Sequence, residues 1–311
     1  MAKLNTVAKS ATHSVLIYGD AKTGKTQLAG TLAAGFNLLW FDLENGFETL
    51  LKLPEEQQSR IELLSLPDTK DYPIAVETML KVFSGKPMHV CEAHGKVNCP
   101  ACGAMQAGKY VPKQDAPSVF VHLDSLTPET IVVVDSLTQL SNSAMAHITR
   151  KQDTEYKPTW EDYANQGAVL AKFLSYIQAA NYNVLCITHV IESEMEDGKK
   201  KLSPLCGTRN LSSTTAKYFG HVLYTEVKNL KHVAGSMTGY ANNIQTGSRT
   251  DVDTVKGDTL VDLFSNTAGA RTTETGAKAT PATSSSANPN QVALAKLAAA
   301  KLAATKATTG V

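Results

Sequence analysis

The chain has almost no excess of charge of either sign: 30 Lys and Arg stand against 29 Asp and Glu, a formal net charge of +1. That balance excludes a strong overall field, so any contact with nucleic acid must come from a local patch. No apolar run approaches the length needed to cross a bilayer. The first residues, MAKLNTVAKS, lack the apolar core of a signal peptide, so a cytoplasmic protein without a membrane partner is expected. Cysteines number five, and three of them crowd around a histidine, which points to metal rather than to disulfides. What is plentiful is apolar material: 42% of 311 residues, enough for one α/β domain with additions.

One stretch organises the rest. Gly19-Asp20-Ala21-Lys22-Thr23-Gly24-Lys25-Thr26 fits G-x-x-x-x-G-K-[ST]. The apolar run Val15 to Tyr18 precedes it and a helix-forming run from Gln27 to Ala34 follows, the strand–loop–helix setting such a loop requires. Its glycines let backbone N–H groups and the helix N-terminus face phosphate oxygens. Lys25 then reaches the β- and γ-phosphates and the Thr26 hydroxyl ligates Mg²⁺. The loop predicts binding of a nucleoside triphosphate such as ATP.

Further buried strands are expected at Asn37 to Glu44, at Ile131 to Asp135 and at Asn183 to His189. Helical spacing marks Asp71 to Phe83, Leu137 to Thr149 and Trp160 to Ala180. More strands are expected at Val222 to Val227 and, near an edge, at Tyr240 to Gln245. Alternating strands and helices predict a mostly parallel, doubly wound α/β sheet over residues 1–265. Ile191 to Cys206, dense in mixed charge around Gly198 and Pro204, is expected to be a mobile loop. Residues 266–289 are Ala, Thr, Ser and Gly with few large apolar groups, the composition of a flexible linker. Over 290–311 an Ala/Leu/Lys pattern suggests a short helix, either one that docks on a partner or a solubilising tail.

Strand ends supply the candidate chemistry, because ligands of such sheets collect at the carboxyl edge. Asp135 is placed to hold Mg²⁺ beside Thr26; helix capping is its other reading. Glu44 and Asp42 share a facing by strand parity, and depth along the strand favours Glu44 for orienting the attacking water. His189 ends its strand at the same edge and is either a γ-phosphate sensor or a packing residue. Cys91-x2-His94-x4-Cys99-x2-Cys102 has the pairing of a closed Cys₃His zinc site inserted at 86–113, with His89 as the alternative histidine. Lysines 86, 96, 109 and 113 accompany it.

In that order, IYGDAKTGKT, LLWFDLENG, TIVVVDSLTQL and LCITHVIESE resemble the core of RecA-type recombinases, and more closely the compact phage RecA-like single-strand annealing proteins. The likeness covers about residues 12–265 without the Cys/His insertion. It implies a P-loop ATPase in which Lys25, Thr26 and Asp135 hold the nucleotide and Mg²⁺, and Glu44 is the catalytic carboxylate. His189 stands where the recombinases have a glutamine sensor. Single-stranded DNA would be gripped by segments near 150–160 and 191–206, the second carrying Lys199, Lys200 and Lys201. The resemblance further implies a homo-oligomer in which a neighbour's basic residue, among Arg209, Lys228, Arg249 and Lys256, completes the site. A replication or single-strand-binding protein could meet the tail, and a phage protein would work in its host's cytoplasm. A helicase or loader ATPase on the same core is the alternative, and a nucleotide-gated binding module without catalysis is a third.

Overall fold

The computed structural model describes residues 12–69, 72–153, 155–194, 198, 200–228, 231–235, 243–248 and 260–265. The linker and tail expected over 266–311, together with Lys199, Arg249 and Lys256, lie outside the described residues. Strand β1 (Ser14–Gly19) leads through the glycine loop into α1 (Lys25–Gly30), then come β2 (Asn37–Asp42), α2 (Glu55–Gln58) and β3 (Ile61–Ser65). Helix α3 (Ile74–Val82) precedes a small module of β4 (Met88–Cys91), β5 (Gly103–Gln106), β6 (Lys109–Pro112) and β7 (Ser118–Val121). The main sheet resumes with β8 (Thr130–Asp135), followed by α4 (Leu137–Thr149), α5 (Trp160–Ala179), β9 (Asn183–Glu194) and β10 (Lys200–Pro204). Last come α6 (Arg209–Thr214), β11 (His221–Lys228), β12 (Lys231–Gly235), β13 (Gly247–Ser248) and α7 (Val261–Ser265).

Strand order is β12-β11-β1-β9-β8-β2-β3. Every pairing from β11 across to β3 is parallel, and β12 and β13 add to β11 antiparallel. The reason is legible residue by residue. Successive side chains leave a strand on opposite faces, and here both faces are covered, so the strands are apolar throughout. Leu16, Tyr18, Leu39, Phe41, Val132 and Val134 join one core cluster with residues of α3, α4 and α5. Their neighbours Val15, Ile17, Leu38, Trp40, Ile131 and Val133 join the other, with residues of α1 and α7. No helix among the described residues is long and apolar enough to cross a membrane.

Two helices show how local sequence sets boundaries. Pro73 caps α3, so the helix begins at Ile74 rather than at Asp71. Thr159 and Asp162 form a reciprocal capping box that starts α5 at Trp160. Buried Leu170, Phe173, Leu174 and Ile177 then follow at the spacing of one helix face.

The segment from Ile191 to Cys206 departs from expectation. β9 runs on to Glu194 and β10 folds back on it antiparallel, pairing Lys200 with Glu194, Lys201 with Ser193 and Pro204 with Val190. Charge density suggested an irregular loop, but cross-strand pairing of lysine with glutamate suits an exposed hairpin. Of the strand expected at Tyr240 to Gln245, Ile244 makes a single bridge to Leu202, and 236–242 lie outside the described residues. The inserted module reaches past residue 113, since β4 pairs with β7 and β5 with β6. Met88, Val90, Val119 and Val121 tie that module into the main core.

Phe173 packs against Phe83 with ring centroids 4.7 Å apart and links α5 to the end of α3. Phe173→Ala is expected to cost about 3–5 kcal/mol, measured as a fall in urea midpoint. A loss below about 1 kcal/mol would show that this contact does not hold the layer together.

Candidate nucleotide-binding site

Backbone geometry comes first. Gly19 is required by crowding, because a Cβ there would sit 2.2 Å from the Thr225 carbonyl oxygen. Gly24 adopts a left-handed φ of 84° where the loop enters α1. The loop closes on itself: the Thr23 hydroxyl donates to the Asp20 carbonyl (2.8 Å), and the Lys25 ammonium donates to the carbonyls of Gly19 (3.0 Å) and Asp20 (2.5 Å). Burial lowers the Lys25 pKa, and the carboxylates of Asp135, Glu44 and Asp20 oppose that shift. The ammonium is therefore poorly solvated and bonded only to neutral oxygens, for which phosphate oxygens would be stronger partners.

Thr26 and Asp135 meet directly, the hydroxyl donating to Oδ2 at 2.9 Å. Asp135 is 5% exposed. Burial pushes its carboxyl up to about 7, against the Thr26 hydrogen bond that favours the ionised form. A divalent cation between this carboxylate and the Thr26 hydroxyl would offset that desolvation, so the pair fits Mg²⁺. Asp135 is not the cap of α4; Ser136, joined to it by a cis peptide bond, accepts from the Gln139 N–H (3.2 Å) in that role.

Asp42 and Glu44 diverge, because β2 ends at Asp42. The buried Asp42 carboxylate accepts from the backbone N–H groups of Glu44 (3.2 Å) and Gly46 (3.0 Å), bracing the turn. Glu44, past that turn, is partly exposed; its Oε1 accepts a hydrogen bond from Ser136 Oγ and lies 3.7 Å from His189 Nε2. Burial, followed by the nearby Lys25 charge, lowers the His189 pKa. The ring is therefore neutral at pH 7, and its approach to Glu44 is a polar contact rather than an ion pair. The His189 backbone N–H donates to Thr138 Oγ1 at 3.0 Å.

The structure thus brings Lys25, Thr26, Asp135, Glu44 and His189 to one rim. Ser136 and Thr138 were missed in the sequence, where D-S-L-T read only as a possible cap. Their signal was their place, one and three residues beyond the strand that ends in Asp135. Of the lysine run, Lys200 and Lys201 lie on the β10 hairpin, and Lys200 pairs with Glu192 at 2.8 Å on the surface. Arg209 begins α6 and is exposed, and Lys228 ends β11.

Cys91, His94, Cys99 and Cys102 form a separate cluster whose ligand atoms all lie within 4.8 Å of one another. His94 Nδ1 is 3.2 Å from the Cys102 sulfur, 3.7 Å from that of Cys99 and 3.8 Å from that of Cys91. Tetrahedral bonds of about 2.0–2.3 Å place ligand atoms roughly 3.3–3.8 Å apart, so the residues fit a zinc ion. Burial, with two thiols alongside, pushes the Cys102 thiol up to about 12, and a cation is what would let such a group ionise. His89 turns instead to Ser118 Oγ, at 3.2 Å, and is not part of the set.

A buried strand, a glycine loop closing on a lysine, and an acid from a non-adjacent parallel strand against the loop's threonine define a P-loop NTPase. The chain belongs to the AAA-domain family, whose model matches residues 11–228. Among solved structures it is similar to "a prototypical ATPase from the type III secretion system of pathogenic bacteria", with a TM-score of 0.36 and 11% identity, over 69% of this chain and 52% of that one. No curated protein matches.

Asp135 supplies a test. Its folded pKa lies above the unfolded value, so between about pH 4 and about pH 7 the folded state binds the extra proton and stability falls as pH rises. Asp135→Asn is expected to remove that slope and to gain at most about 4 kcal/mol at neutral pH in the absence of Mg²⁺. Urea titrations of both proteins across that range measure it. Parallel pH profiles would show that Asp135 is not the group responsible.

Proposed function

We propose that this domain hydrolyses ATP with Mg²⁺ and uses the nucleotide state to control its hold on single-stranded DNA, in annealing or strand pairing of the phage recombination type. The observation that carries the reading is the placing of Glu44, beside Ser136 and His189, across the rim from Lys25 and the Thr26–Asp135 pair. Magnesium would supply charge neutralisation on the phosphates, held through Thr26 and Asp135. Lys25 would give up its carbonyl partners for phosphate oxygens. Glu44 accepts a proton from the attacking water, with the Ser136 hydrogen bond fixing its carboxylate, and neutral His189 carries contact at the γ-phosphate into the β9–β10 hairpin that follows it.

Support for the DNA reading comes from the RecA-like order of segments. The 150–160 stretch ends at Trp160, 92% exposed at the head of α5, and the β9–β10 hairpin presents Lys200 and Lys201. Assembly into an oligomer, with Arg209 among the basic residues offered to a neighbour's site, completes the proposal. Zinc held by Cys91, His94, Cys99 and Cys102 would be structural, since four protein ligands leave no open position.

Turnover of ATP is expected to rise when single-stranded DNA is added. Glu44→Gln should lower kcat by about 10²–10⁴-fold while leaving nucleotide affinity nearly unchanged. Rates indifferent to DNA would sink the recombination reading, and annealing that survives in Glu44→Gln would make this a nucleotide-gated binding module instead. Metal analysis tests the second site. Purified protein should carry one equivalent of zinc, and Cys99→Ser should lose it along with several kcal/mol of stability. A metal-free wild-type chain of equal stability would remove zinc from the account.

A further inference from the structure

The inserted module keeps an aromatic row on its outer surface that the nucleotide site does not use. β4 and β7 turn Met88, Val90, Val119 and Val121 inward to the core. By alternation, His89 and Phe120 face outward, and they are direct cross-strand partners with ring centroids 5.2 Å apart. The His89 ring is also 5.6 Å from that of Tyr110 on β6, and Tyr110 is the cross-strand partner of Met105 on β5. Met105, Tyr110, His89 and Phe120 therefore form one continuous row across two small sheets. Its ends are open: Met105 is 62% exposed and Phe120 is 59% exposed.

The middle of the row is anchored. The Tyr110 hydroxyl donates to the Cys99 carbonyl at 2.8 Å. Its ring lies over Gly103, where a Cβ would come within 2.5 Å of the Tyr110 hydroxyl oxygen. A side chain at 103 would push the tyrosine off the row.

Charge says what would cover the row. From residue 86 to residue 121 the chain has four lysines (86, 96, 109 and 113) and two acids, Glu92 and Asp115. All four lysines are exposed; of the acids Asp115 is exposed, whereas Glu92 is half-buried and its pKa is raised by that burial. Exposed rings on a module that carries four exposed lysines and one exposed carboxylate suit a ligand with flat apolar faces on an anionic backbone. We propose that this row is a stacking platform for the bases of single-stranded nucleic acid, a second contact separate from the β9–β10 hairpin. It rests on the single-stranded DNA reading above and adds to it where the strand is held. A Cys₃His zinc centre would bring one negative charge, so the net positive charge of the module is small and stacking supplies most of the affinity.

The test measures binding of fluorescently labelled oligothymidylate to the full chain by anisotropy. Phe120→Ala should weaken binding about tenfold, with zinc content and ATP affinity unchanged. Phe120→Trp should restore binding and report it through quenched emission. Leu51→Ala, at an exposed apolar site outside the module (45% exposure), should bind like wild type. Wild-type affinity in both Phe120→Ala and the Phe120→Ala/Met105→Ala double variant would overturn the platform while leaving the DNA reading intact. No binding by wild type would overturn both. Self-association that disappears in Phe120→Ala, with DNA affinity unchanged, would reassign the row to a contact between copies and overturn the platform as well.

Discussion

The hydrogen bond from Thr26 to Asp135 closes the site, and the order of the strands makes it possible. β9 lies between β1 and β8. With neighbouring strands about 4.8 Å apart, Asp135 is displaced roughly 10 Å sideways from the strand that feeds the glycine loop. The loop and the first turn of α1 span that distance, which is why the threonine directly after Lys25 meets the acid. Any slip in the pairing of β8 with β9 by one residue would turn Asp135 to the other face and leave Thr26 without its partner. Burial of β8 on both faces, with Ile131 to Val134 all at 0% exposure, fixes that register.

The same closure explains the charge state of the rim. Lys25, Asp135 and Asp42 are all buried, and each is shifted toward its neutral form by desolvation. Asp42 limits its cost by accepting backbone N–H groups, and Asp135 by accepting from Thr26. Lys25 has only carbonyl and hydroxyl oxygens. An unevenly satisfied cluster of this kind gains most from a ligand that brings both anionic oxygens and a divalent cation, and the division of roles among the acids follows from it. The acid whose Oδ1 is held by backbone N–H groups braces the turn, and the one left partly exposed, Glu44, keeps a lone pair for solvent.

Much of this was legible in the chain. The glycine loop, the apolar strands and the acids at their ends follow from pattern, because a doubly covered parallel sheet demands apolar runs and delivers their last residues to one edge. Parity misled at Asp42 and Glu44: the two would share a facing only if β2 continued, and the turn that Asp42 itself braces ends the strand. Charge misled at Ile191 to Cys206, where glutamates of one strand meet lysines of the next across a hairpin. Ser136 and Thr138 carried no motif, since their function depends on Glu44 and His189 arriving from distant segments. The choice of His94 over His89 was open in the spacing. It is settled by β4, whose pleat sends His89 outward to Ser118 and leaves His94 in the turn that follows Cys91.

The inserted module packs against the elements that lead to the rim. The Leu66 N–H, just past β3, donates to the Asp42 carbonyl at 2.7 Å, so the exit of β3 is bonded to the residue from which the Glu44 turn departs. Leu66 also lies under Gly95, where a Cβ would come within 2.8 Å of its side chain, and Thr78 of α3 donates to the Gly95 carbonyl at 2.6 Å. Gly95 directly follows His94 in the Cys/His cluster. A helix of nine residues such as α3 is marginal by itself and owes its persistence to packing. The cluster's turn is therefore packed against α3 and against the strand exit next to the Glu44 turn. Loosening that turn would be felt first at α3 and at the exit of β3, next to the Glu44 turn, and four ligands on one ion would hold it in place.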